Sequence, residues 1–369
     1  MNSHNSPELQ VDIAIIGGGN AGLSLARKLE GCRAVVVEPQ TPAARNYSWS
    51  FWHNHQHQEP FAAAVRGCWH QWKIVDQHSE VVHNSDHYAY LSVNACDYLT
   101  QCESELASTV ELVRAAASDV QAAGRGATFT AGGRSYRAQY AYDSRQSTPA
   151  EGALKQHFIG WEIKTKTAVK EPHIATLMDF RVDQSRGLHF IYALPFSSHR
   201  LLVESTMIST TLEESAWYTA AIERWLALQG IEVDELIRVE RGVIAMSEQP
   251  TSAHLPAKIG IAGGAVRLSS GYAFTLIQQQ VNQLYAGISR GDYTVPTVVT
   301  AKLAWMDALF NRVLLANPPL GVAMMVNTAK ALDGNSFARF MLGKASLWEW
   351  CRVILAMPKR AFLRELVRC

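Results

Sequence analysis

A glycine-rich segment near the N-terminus carries the residues whose types and spacing best fit a defined chemistry. Gly17, Gly19 and Gly22 follow the apolar run Val11–Ile16, which is typical of a buried parallel strand, and they open a predicted helix. In such a motif the first glycine permits a tight turn, the second lets the backbone approach a pyrophosphate, and the third allows close helix packing. Glu38 ends the next predicted strand, where its carboxylate can accept hydrogen bonds from a ribose. The spacing therefore predicts a dinucleotide site with its phosphates at the helix N-terminus.

A second glycine-rich turn, late in the chain, bears on which dinucleotide is bound. Gly263–Gly264 follow a short predicted strand, Lys258–Ala262, and Ser269–Gly271 come just before a predicted helix that starts at Tyr272. N–H groups at that helix N-terminus can face the pyrimidine edge or the ribityl chain of a flavin. The first motif alone fits NAD and FAD equally, but a late segment that returns to it favours FAD. An ordinary strand-to-helix loop is the alternative interpretation.

The elements that must position these residues indicate parallel and antiparallel sheets in one chain. Four β-rich runs separated by short turns predict an antiparallel sheet: Ile159–Lys166, Ile174–Val182, Leu188–Leu194 and Arg200–Ile208. A helix is predicted over Glu213–Gln229, with Gly230 as its stop signal. From Ala301 onward the pattern predicts consecutive helices, with breaks at Asn317–Pro319, Asp333–Gly334 and Pro358.

This order of elements predicts a discontinuous cofactor domain. The fold class is α/β, with a Rossmann-type FAD-binding core, an inserted antiparallel β-sheet substrate domain and a helical C-terminal region. We assign residues 9–72, 95–157 and 255–295 to the core, 73–94 and 158–254 to the substrate-binding sheet, and 296–369 to the C-terminal helices.

The composition excludes several classes of protein. Apolar residues make up 48% and charged residues 18% of the chain, which rules out the disordered and fibrous classes. Lys plus Arg (34) nearly equals Asp plus Glu (33), so no global positive field favours a nucleic-acid partner. The segment Met1–Gln10 lacks the blocks of a secretion signal, and no apolar run reaches about 18 residues. We therefore expect a cytoplasmic protein.

Three alternating histidines, His53, His55 and His57, would share one face of a strand and are a candidate for a metal site. No carboxylate or cysteine arrangement accompanies them, and the six cysteines include no C-x-x-C pair. We therefore interpret the histidines as part of a solvated loop and expect no bound metal.

Beyond the glycine motif, seven short blocks stand out along the chain: Tyr47–Trp52, Gln156–Trp161, Leu177–Arg181, Tyr192–Ser197, Leu201–Thr206, Ser269–Phe274 and Ile277–Gln278. Together these blocks resemble the flavin-dependent lycopene β-cyclases of carotenoid-making bacteria. They run in the family's order from about residue 11 to about residue 280. Any one block would prove little, but together they make the resemblance specific.

The resemblance implies a redox-neutral reaction on an acyclic carotenoid such as lycopene. An acid protonates the terminal double bond, the carbocation closes to a six-membered β-ionone ring, and a proton is lost, giving γ-carotene and then β-carotene. It also implies that reduced FAD stabilises positive charge and that NAD(P)H serves as the reductant. The expected cofactor contacts are Gly17, Gly19, Asn20, Ala21, Gly22, Glu38, Asp143, Gly263, Gly264, Ser270, Gly271 and Tyr272.

The family's acid lies in a Val/Leu-Glu-x-Thr strand motif, and the resemblance makes Glu204 the matching residue. A carboxyl group among the apolar residues of that strand is desolvated, which raises its pKa and keeps a proton available. An exposed glutamate paired with Arg200 or Arg181 is the alternative, since most glutamates are exposed. Asp179 and Arg181, two apart on a strand, would share a face, either as a charge pair that lines the pocket or as a structural salt bridge.

Four large aromatic residues are the predicted substrate-pocket residues: Trp49, Phe51, Trp52 and Trp161. Their π faces can hold a developing carbocation, as they hold any cation. Large aromatics are also common in ordinary cores, so core packing is the alternative.

The C-terminal stretch Leu347–Cys369 combines tryptophans and aliphatic residues with five basic residues and two acidic ones. Such a helix suits the headgroup region of a membrane, and a carotenoid is insoluble in water and resides in the bilayer. We therefore expect a peripheral contact with the membrane surface. A helix that packs on the core and leaves a solvated basic face is the alternative.

Two other functions fit parts of the sequence. A flavin monooxygenase, or another FAD oxidoreductase acting on an apolar, isoprenoid-like substrate, is the main alternative, but such enzymes usually carry Gly-Asp where this chain has Gly263–Gly264. A non-catalytic flavin- or nucleotide-binding protein is the other, and it leaves the strand around Glu204 unexplained.

Overall fold

The computed structural model describes residues 8–54, 61–146, 148–248, 252 and 254–367 of the chain. Within them the strands are β1 (Leu9–Ile16), β2 (Ala34–Val37), β3 (Ser48–Asn54), β4 (Val65–Trp69), β5 (Gln71–Val75), β6 (Glu80–Asn84), β7 (Tyr88–Asn94), β8 (Val110–Val113), β9 (Ser118–Ala123), β10 (Gly126–Ala131), β11 (Arg134–Asp143), β12 (Lys155–Thr165), β13 (Ile174–Asp179), β14 (Leu188–Ser197), β15 (Arg200–Ser209), β16 (Val233–Ala245) and β17 (Ala257–Lys258). The α-helices are α1 (Asn20–Ala26), α2 (Ala95–Ser104), α3 (Ser215–Gln229), α4 (Phe274–Ile288), α5 (Ala301–Ala316), α6 (Gly321–Ala331), α7 (Gly334–Met341), α8 (Leu347–Ala356) and α9 (Lys359–Val367).

The first sheet has the order β8-β2-β1-β11-β10-β9, with β17 also paired to β11. Its centre is parallel: β1 pairs with β2 and β11, and β17 continues the parallel part. The apolar end of β1, Ile13–Ile16, is buried, as a parallel strand covered on both faces requires. The carboxyl ends of these strands meet at one edge, so Gly17 and Glu38 lie side by side there.

The second sheet has the order β16-β12-β15-β14-β13-β5-β6. The four β-rich runs predicted to pair antiparallel do so, as β12, β15, β14 and β13. Helix α3 covers one face, because Tyr218, Ile222 and Trp225 repeat at helical spacing and pack toward it. It ends at Gly230, whose left-handed φ of +68° explains the stop signal. Helices α5–α9 cover the opposite face.

A third, three-stranded sheet, β3-β7-β4, connects the two larger ones. The Ser48 N–H of β3 donates a hydrogen bond to Glu240 of β16, while Phe51 stacks on Phe274 at the start of α4. This small sheet therefore places β3 between the carboxyl edge of the parallel sheet and one face of the second sheet.

Helices α6, α7 and α9 follow the breaks that the sequence indicates, whereas the break between α7 and α8 was not predicted. Asp333 caps α7 through a hydrogen bond from the Ser336 N–H, and Ser346 with Glu349 forms a reciprocal capping box on α8. Among the described helices, none is by itself long and apolar enough to cross a membrane; 301–316 and 318–331 meet the length and composition together but are bent by 118°.

The α/β fold class is confirmed, but two element boundaries are wrong. The helix predicted to reach Glu30 ends at Ala26, because the chain tightens into a turn before Gly31, whose φ is +74°. The predicted strand Lys258–Ala262 is only the two residues of β17 followed by a 3-10 turn. Gly260 has a φ of +69°, and a Cβ there would lie 2.8 Å from that of Ala21, so the backbone turns against α1. The domain limits stay a prediction.

Candidate active site

The glycine motif forms an open crevice at the edge of the parallel sheet. Gly17 has a φ of +98°, and a Cβ on Gly22 would lie 1.9 Å from the Gly17 carbonyl oxygen, so both glycines are required by the turn itself. A Cβ on Gly19 would meet only Arg45 Nη1, at 3.8 Å. Gly19 therefore faces free space, as a residue must where a ligand approaches the backbone. These positions fit a dinucleotide pyrophosphate.

Glu38 ends the crevice as predicted, and Arg45 joins it. The Glu38 carboxylate accepts hydrogen bonds from the N–H groups of Gly18 and Gln40, both at 2.8 Å. Arg45 pairs with Glu38 at 2.5 Å and donates to the Gly18 carbonyl oxygen at 2.8 Å. We did not single out Arg45 from the sequence, but its guanidinium beside Gly19 suits a phosphate charge.

Asn20 and Ala21 lie at the start of α1 with their side chains turned away from the crevice. Asn20 Oδ1 accepts a hydrogen bond from Gln278 of α4 at 2.8 Å, and Ala21 packs against Gly260. Only the backbone of these two residues is therefore oriented for a ligand. The Asn20–Gln278 contact also fixes the N-terminal part of α4 beside α1.

The late loop returns to this region, as the sequence predicts. Arg267 forms two hydrogen bonds with Asp307 of α5, both partners being buried, and this pair braces the loop that ends at Tyr272. Gly271 has a φ of +73°. Ser270 Oγ is buried without a hydrogen-bond partner, which fits a polar group of a bound ligand. Gly263 and Gly264 form the turn after β17, with Gly264 in the left-handed conformation.

Asp143 corrects one predicted cofactor contact. It ends β11 next to Gly17, but its carboxylate is fully buried and bound by Arg145 and by Lys258 at 2.9 Å. Burial raises the pKa of Asp143, but hydrogen bonds from Arg145 and Lys258 outweigh this and lower it. The side chain holds the ends of β11 and β17 together and has no free face for a ligand.

Glu204 is buried, and it faces a second carboxylate. Gly160 of β12 lies between Glu204 of β15 and Glu240 of β16 in the register of the second sheet. The two glutamates are 8% and 4% exposed. The alternative of an exposed glutamate paired with Arg200 or Arg181 is wrong, because Arg200 pairs with Glu162 and Arg181 with Asp179.

The surroundings of the two glutamates differ, and this decides which one keeps a proton. Burial raises the pKa of Glu204 well above its usual range, and the Glu240 carboxylate raises it further. Burial also raises the pKa of Glu240 above its usual value, although the hydrogen bond with Glu204, the Arg238 guanidinium and the Ser48 N–H oppose this rise. The pKa of Glu204 is raised further, so Glu204 is the member of the pair that keeps a proton, while Arg238 and the Ser48 N–H favour the anion on Glu240.

A cluster of tyrosines closes the site around Glu204. The Tyr90 hydroxyl lies 3.0 Å from the hydroxyls of Tyr192 and Tyr272, and Tyr192 is the cross-strand neighbour of Glu204. Burial raises the pKa of all three tyrosines above the usual value, so their hydroxyls stay neutral. Trp52 packs on Tyr90 and Tyr272, with ring centroids 4.6 and 4.9 Å apart. The result is a buried aromatic cluster beside the carboxyl pair.

The other predicted aromatic residues lie outside this aromatic cluster. Trp49 and Phe51 alternate with Ser50 and Trp52 along β3, and their rings pack on Phe274 in the core under α4. Trp161 lies on the face of the second sheet covered by α3. For these three residues the structure supports core packing.

Asp179 and Arg181 also lie away from Glu204. They form the predicted ion pair, but the Asp179 carboxylate accepts a hydrogen bond from Trp225 of α3 at 2.9 Å, on the opposite face of the sheet. Burial raises the pKa of Asp179, but hydrogen bonds from Arg181 and Trp225 outweigh this and lower it. The pair is a salt bridge that borders a separate cleft on the α3 side of the sheet, so it does not face Glu204.

An apolar cavity of about 410 Å³ opens between the second sheet and helices α5–α9. Phe190 and Ile208 in its wall lie on the same face of the sheet as Glu204. Ile208 is four residues from Glu204 along β15, a distance of roughly 13 Å in a strand. Between them, Thr206 Oγ1 is buried without a hydrogen-bond partner. The cavity and the carboxyl pair therefore share one face of the second sheet.

The part of the chain that the structure describes contains no group of three or more histidine, cysteine or acidic residues arranged to hold a metal. His55 and His57 lie outside the described residues, so the triplet with His53 is not seen as a whole.

Sequence reasoning missed Glu240 and the tyrosine hydroxyls. Glu240 follows Arg238 on a strand whose residues are mostly exposed, so its burial had no local signal. Gly160 gave one possible signal, because a glycine inside a strand indicates the close approach of another group.

Comparison with known proteins gives consistent matches over the whole chain. The family model described as lycopene cyclase protein matches residues 12–367. A lycopene beta-cyclase of Pantoea ananas is 24% identical, with 96% of this chain and 97% of that protein covered. A lycopene beta-cyclase of a Paracoccus species is 27% identical over 66% of this chain and 67% of its own length.

Solved structures share the fold at low identity. A geranylgeranyl bacteriochlorophyll reductase-like protein from Thermoplasma acidophilum has a TM-score of 0.62 at 10% identity, covering 97% of this chain and 99% of that one. A flavin-dependent brominase has the same TM-score at 14% identity with the same coverage. A probable FAD-dependent monooxygenase from Pseudomonas aeruginosa has a TM-score of 0.55 at 16% identity, covering 90% and 100%. These similarities establish the Rossmann-type flavoprotein fold.

Proposed function

The chain belongs to the lycopene cyclase family, and on this premise we propose that it closes the ψ-end groups of lycopene to β-ionone rings, forming γ-carotene and β-carotene. The observation that carries the proposal is the burial of the Glu204 carboxyl, which raises its pKa, on the sheet face that also carries the wall of an apolar cavity. An enzyme that starts a carbocation reaction needs both a desolvated acid and a pocket that excludes water.

Glu204 acts as the acid and base of the reaction. Its proton adds to the terminal double bond, the resulting carbocation is attacked by the neighbouring double bond, and a proton leaves the new ring. Trp52 and the tyrosine rings offer π faces to the positive charge, and the hydroxyls of the tyrosines are neutral, so they do not quench it as anions. The substrate is isomerised without net oxidation or reduction.

The crevice and the late loop would hold FAD. Gly17, Gly19 and Gly22 with Arg45 fit the pyrophosphate, Glu38 fits the adenosine ribose, and the orphaned Ser270 hydroxyl fits the flavin end. Reduced FAD, when bound, supplies stabilisation of positive charge near the reacting end group. NAD(P)H is the proposed reductant.

Access from a membrane surface explains how a water-insoluble substrate reaches the cavity. Four apolar side chains line the cavity and also expose about half or more of their surface to solvent: Trp305, Ile354, Leu355 and Leu363. Helices α8 and α9 also carry exposed basic residues that suit anionic headgroups: Arg352, Lys359, Arg360 and Arg364. We propose a cytoplasmic protein that is peripherally associated with the membrane. Val353 and Met357 pack into the core, as the alternative for the C-terminal stretch predicts, and the membrane contact of the exposed face stays a proposal.

Expression in cells that accumulate lycopene tests the proposal directly. Chromatography and mass spectrometry of the pigments should show cyclised carotenoids with the mass of lycopene. A product that has gained oxygen would move the chain to the monooxygenases, and unchanged lycopene with intact flavin binding would remove the cyclase function.

A further inference from the structure

We propose that Glu240 is the proton-holding partner of Glu204, so that the two carboxyl groups share one proton and the Glu240 anion returns Glu204 to its acid form after each ring closure. This inference rests on the proposed cyclase function. Glu240 acts through Glu204 and is therefore a positioning residue, not the acid itself.

Gly160 makes the close approach of the two carboxyl side chains possible. Strands β15 and β16 both pair with β12, and Glu204 and Glu240 flank Gly160 from its two sides. A Cβ on Gly160 would lie 2.7 Å from Glu204 Cγ and 3.1 Å from Glu240 Cγ. Both side chains therefore occupy the space above this glycine, and any other residue would push them apart.

The hydrogen bonds around Glu240 leave a place for one shared proton. Glu240 Oε2 accepts from the Ser48 N–H at 3.0 Å and contacts Arg238 at 3.1 Å. Glu240 Oε1 is buried and receives no hydrogen bond from any described nitrogen or hydroxyl group. A buried carboxylate oxygen without a donor is costly, and a protonated Glu204 supplies the missing donor.

The anion is held on Glu240 by a fixed set of charges. Arg238 also pairs with the fully buried Glu162, which Arg66 and Arg200 contact as well. Burial raises the pKa of Glu162, but hydrogen bonds from Arg66 and Arg238 outweigh this and lower it to about 2, so Glu162 stays ionised. Arg238 is thereby anchored next to Glu240 and stabilises its negative charge.

The Glu204–Glu240 pair can recover its original protonation state at the end of each ring closure. When Glu204 donates its proton, a C–H bond forms on the substrate and the pair becomes two adjacent anions. Two carboxylates at close range in a dry site are strongly disfavoured, so the pair takes up the proton released from the new ring. Each ring closure adds one proton to the substrate and removes one. The substrate loses one carbon–carbon π bond and gains the new carbon–carbon single bond of the ring, so no oxidant or reductant is consumed.

The pH dependence of turnover follows from the groups that face the pair. These are Tyr192 of β14, Tyr272 before α4, Tyr90 of β7, and Arg238 and Glu162 on the neighbouring strands. The raised pKa values of the tyrosines keep them neutral, and the lowered pKa of Glu162 keeps it ionised, around neutral pH. Loss of the shared proton therefore limits activity as the pH rises.

Glu240→Gln, compared with wild type and with Glu235→Gln, tests the pair by pH profile. Glu235 is an exposed glutamate on the same strand and serves as the matched control. With the neighbouring anion removed, the alkaline limb of kcat should move to lower pH by about one unit or more, with about tenfold lower turnover at neutral pH. An unmoved limb in folded, flavin-loaded Glu240→Gln would overturn the proposal.

Infrared spectroscopy gives a second measurement that needs neither activity nor a Glu240 variant. Wild type at neutral pH should show the C=O band of a buried protonated carboxyl, which Glu204→Gln should lack and Glu235→Gln should retain. No such band in wild type, or a band that survives Glu204→Gln, would also overturn the pair. A wild type that shows the band but forms no cyclised carotenoid would instead contradict the proposed function.

Discussion

Glu204 is the residue on which the proposed chemistry depends, because its carboxyl group is desolvated and protonated in the resting protein. Glu204→Gln keeps the side-chain shape but removes the transferable proton. We expect fold and FAD binding to be retained and ring closure to fall by at least ~10²-fold, measured as pigment formed by purified enzyme. Glu235→Gln on β16 is the control. Turnover of Glu204→Gln within a few-fold of wild type would exclude Glu204 as the acid.

Substitutions at Gly19 and at Gly22 distinguish an effect on cofactor binding from an effect on the stability of the turn. Gly19→Val places a side chain in free space where the pyrophosphate is expected, so FAD binding should be lost while the unfolding temperature of the apoprotein stays unchanged. Gly22→Val forces a clash with the Gly17 carbonyl oxygen and should lower the free energy of unfolding by more than ~2 kcal/mol. Flavin titration and thermal unfolding measure both effects. Wild-type FAD affinity in Gly19→Val would place the cofactor elsewhere.

Helices α8 and α9 form a part of the cavity wall that is also exposed at the protein surface. One side packs into the core through Val353 and Met357, so deleting the helices would uncover that core. The other side exposes Leu355 and Leu363 by 66% and 61% beside the cavity. This division of faces makes surface substitutions the cleaner test of a membrane contact.

Replacing Leu355 and Leu363 by glutamine should weaken sedimentation with anionic liposomes by about tenfold or more, because two apolar side chains no longer enter the membrane. FAD binding should not change. Leu228→Gln is the matched control, since Leu228 is 69% exposed on α3, on the other face of the second sheet. Equal loss of binding in the control would show that the effect is not specific to these helices.

At the scale of the whole molecule, two sheets of different kind meet across α4. The parallel sheet forms the crevice beside α1, the second sheet carries Glu204, and Tyr272 just before α4 contacts the tyrosine cluster near that acid. A bound cofactor that extends from the glycine motif toward Tyr272 would therefore end close to the carboxyl pair.

We expect activity to require reduced FAD but no oxygen, because the proposed reaction transfers a proton and leaves the redox state of the substrate unchanged. Anaerobic assays with chemically reduced FAD should give aerobic levels of cyclised product. A strict need for oxygen would contradict the cyclase and favour a monooxygenase.

Sequence reasoning succeeded where the relevant contacts are local. The turn at Gly17, the start of α1 and Glu38 at the end of β2 are set by residues close in the chain, so spacing alone predicted the crevice. The burial of Glu204 was expected only from the resemblance of its strand to the family's acid motif, because its apolar neighbours alone left an exposed glutamate open. The stop of α3 at Gly230 was predictable because a left-handed cap favours glycine.

Only the tertiary structure decided which face each strand residue occupies. Strand β15 is buried on both faces, so its alternation does not reveal that Glu204 lies on the face opposite α3. The partner Glu240 comes from a distant strand, and its burial depends on Ser48 and Arg238 as well as on the space above Gly160. The sequence thus determined an acid and a cofactor crevice. The environment that keeps the acid protonated arises only when strands far apart in the chain pair, because a pKa depends on charges and solvent nearby in space.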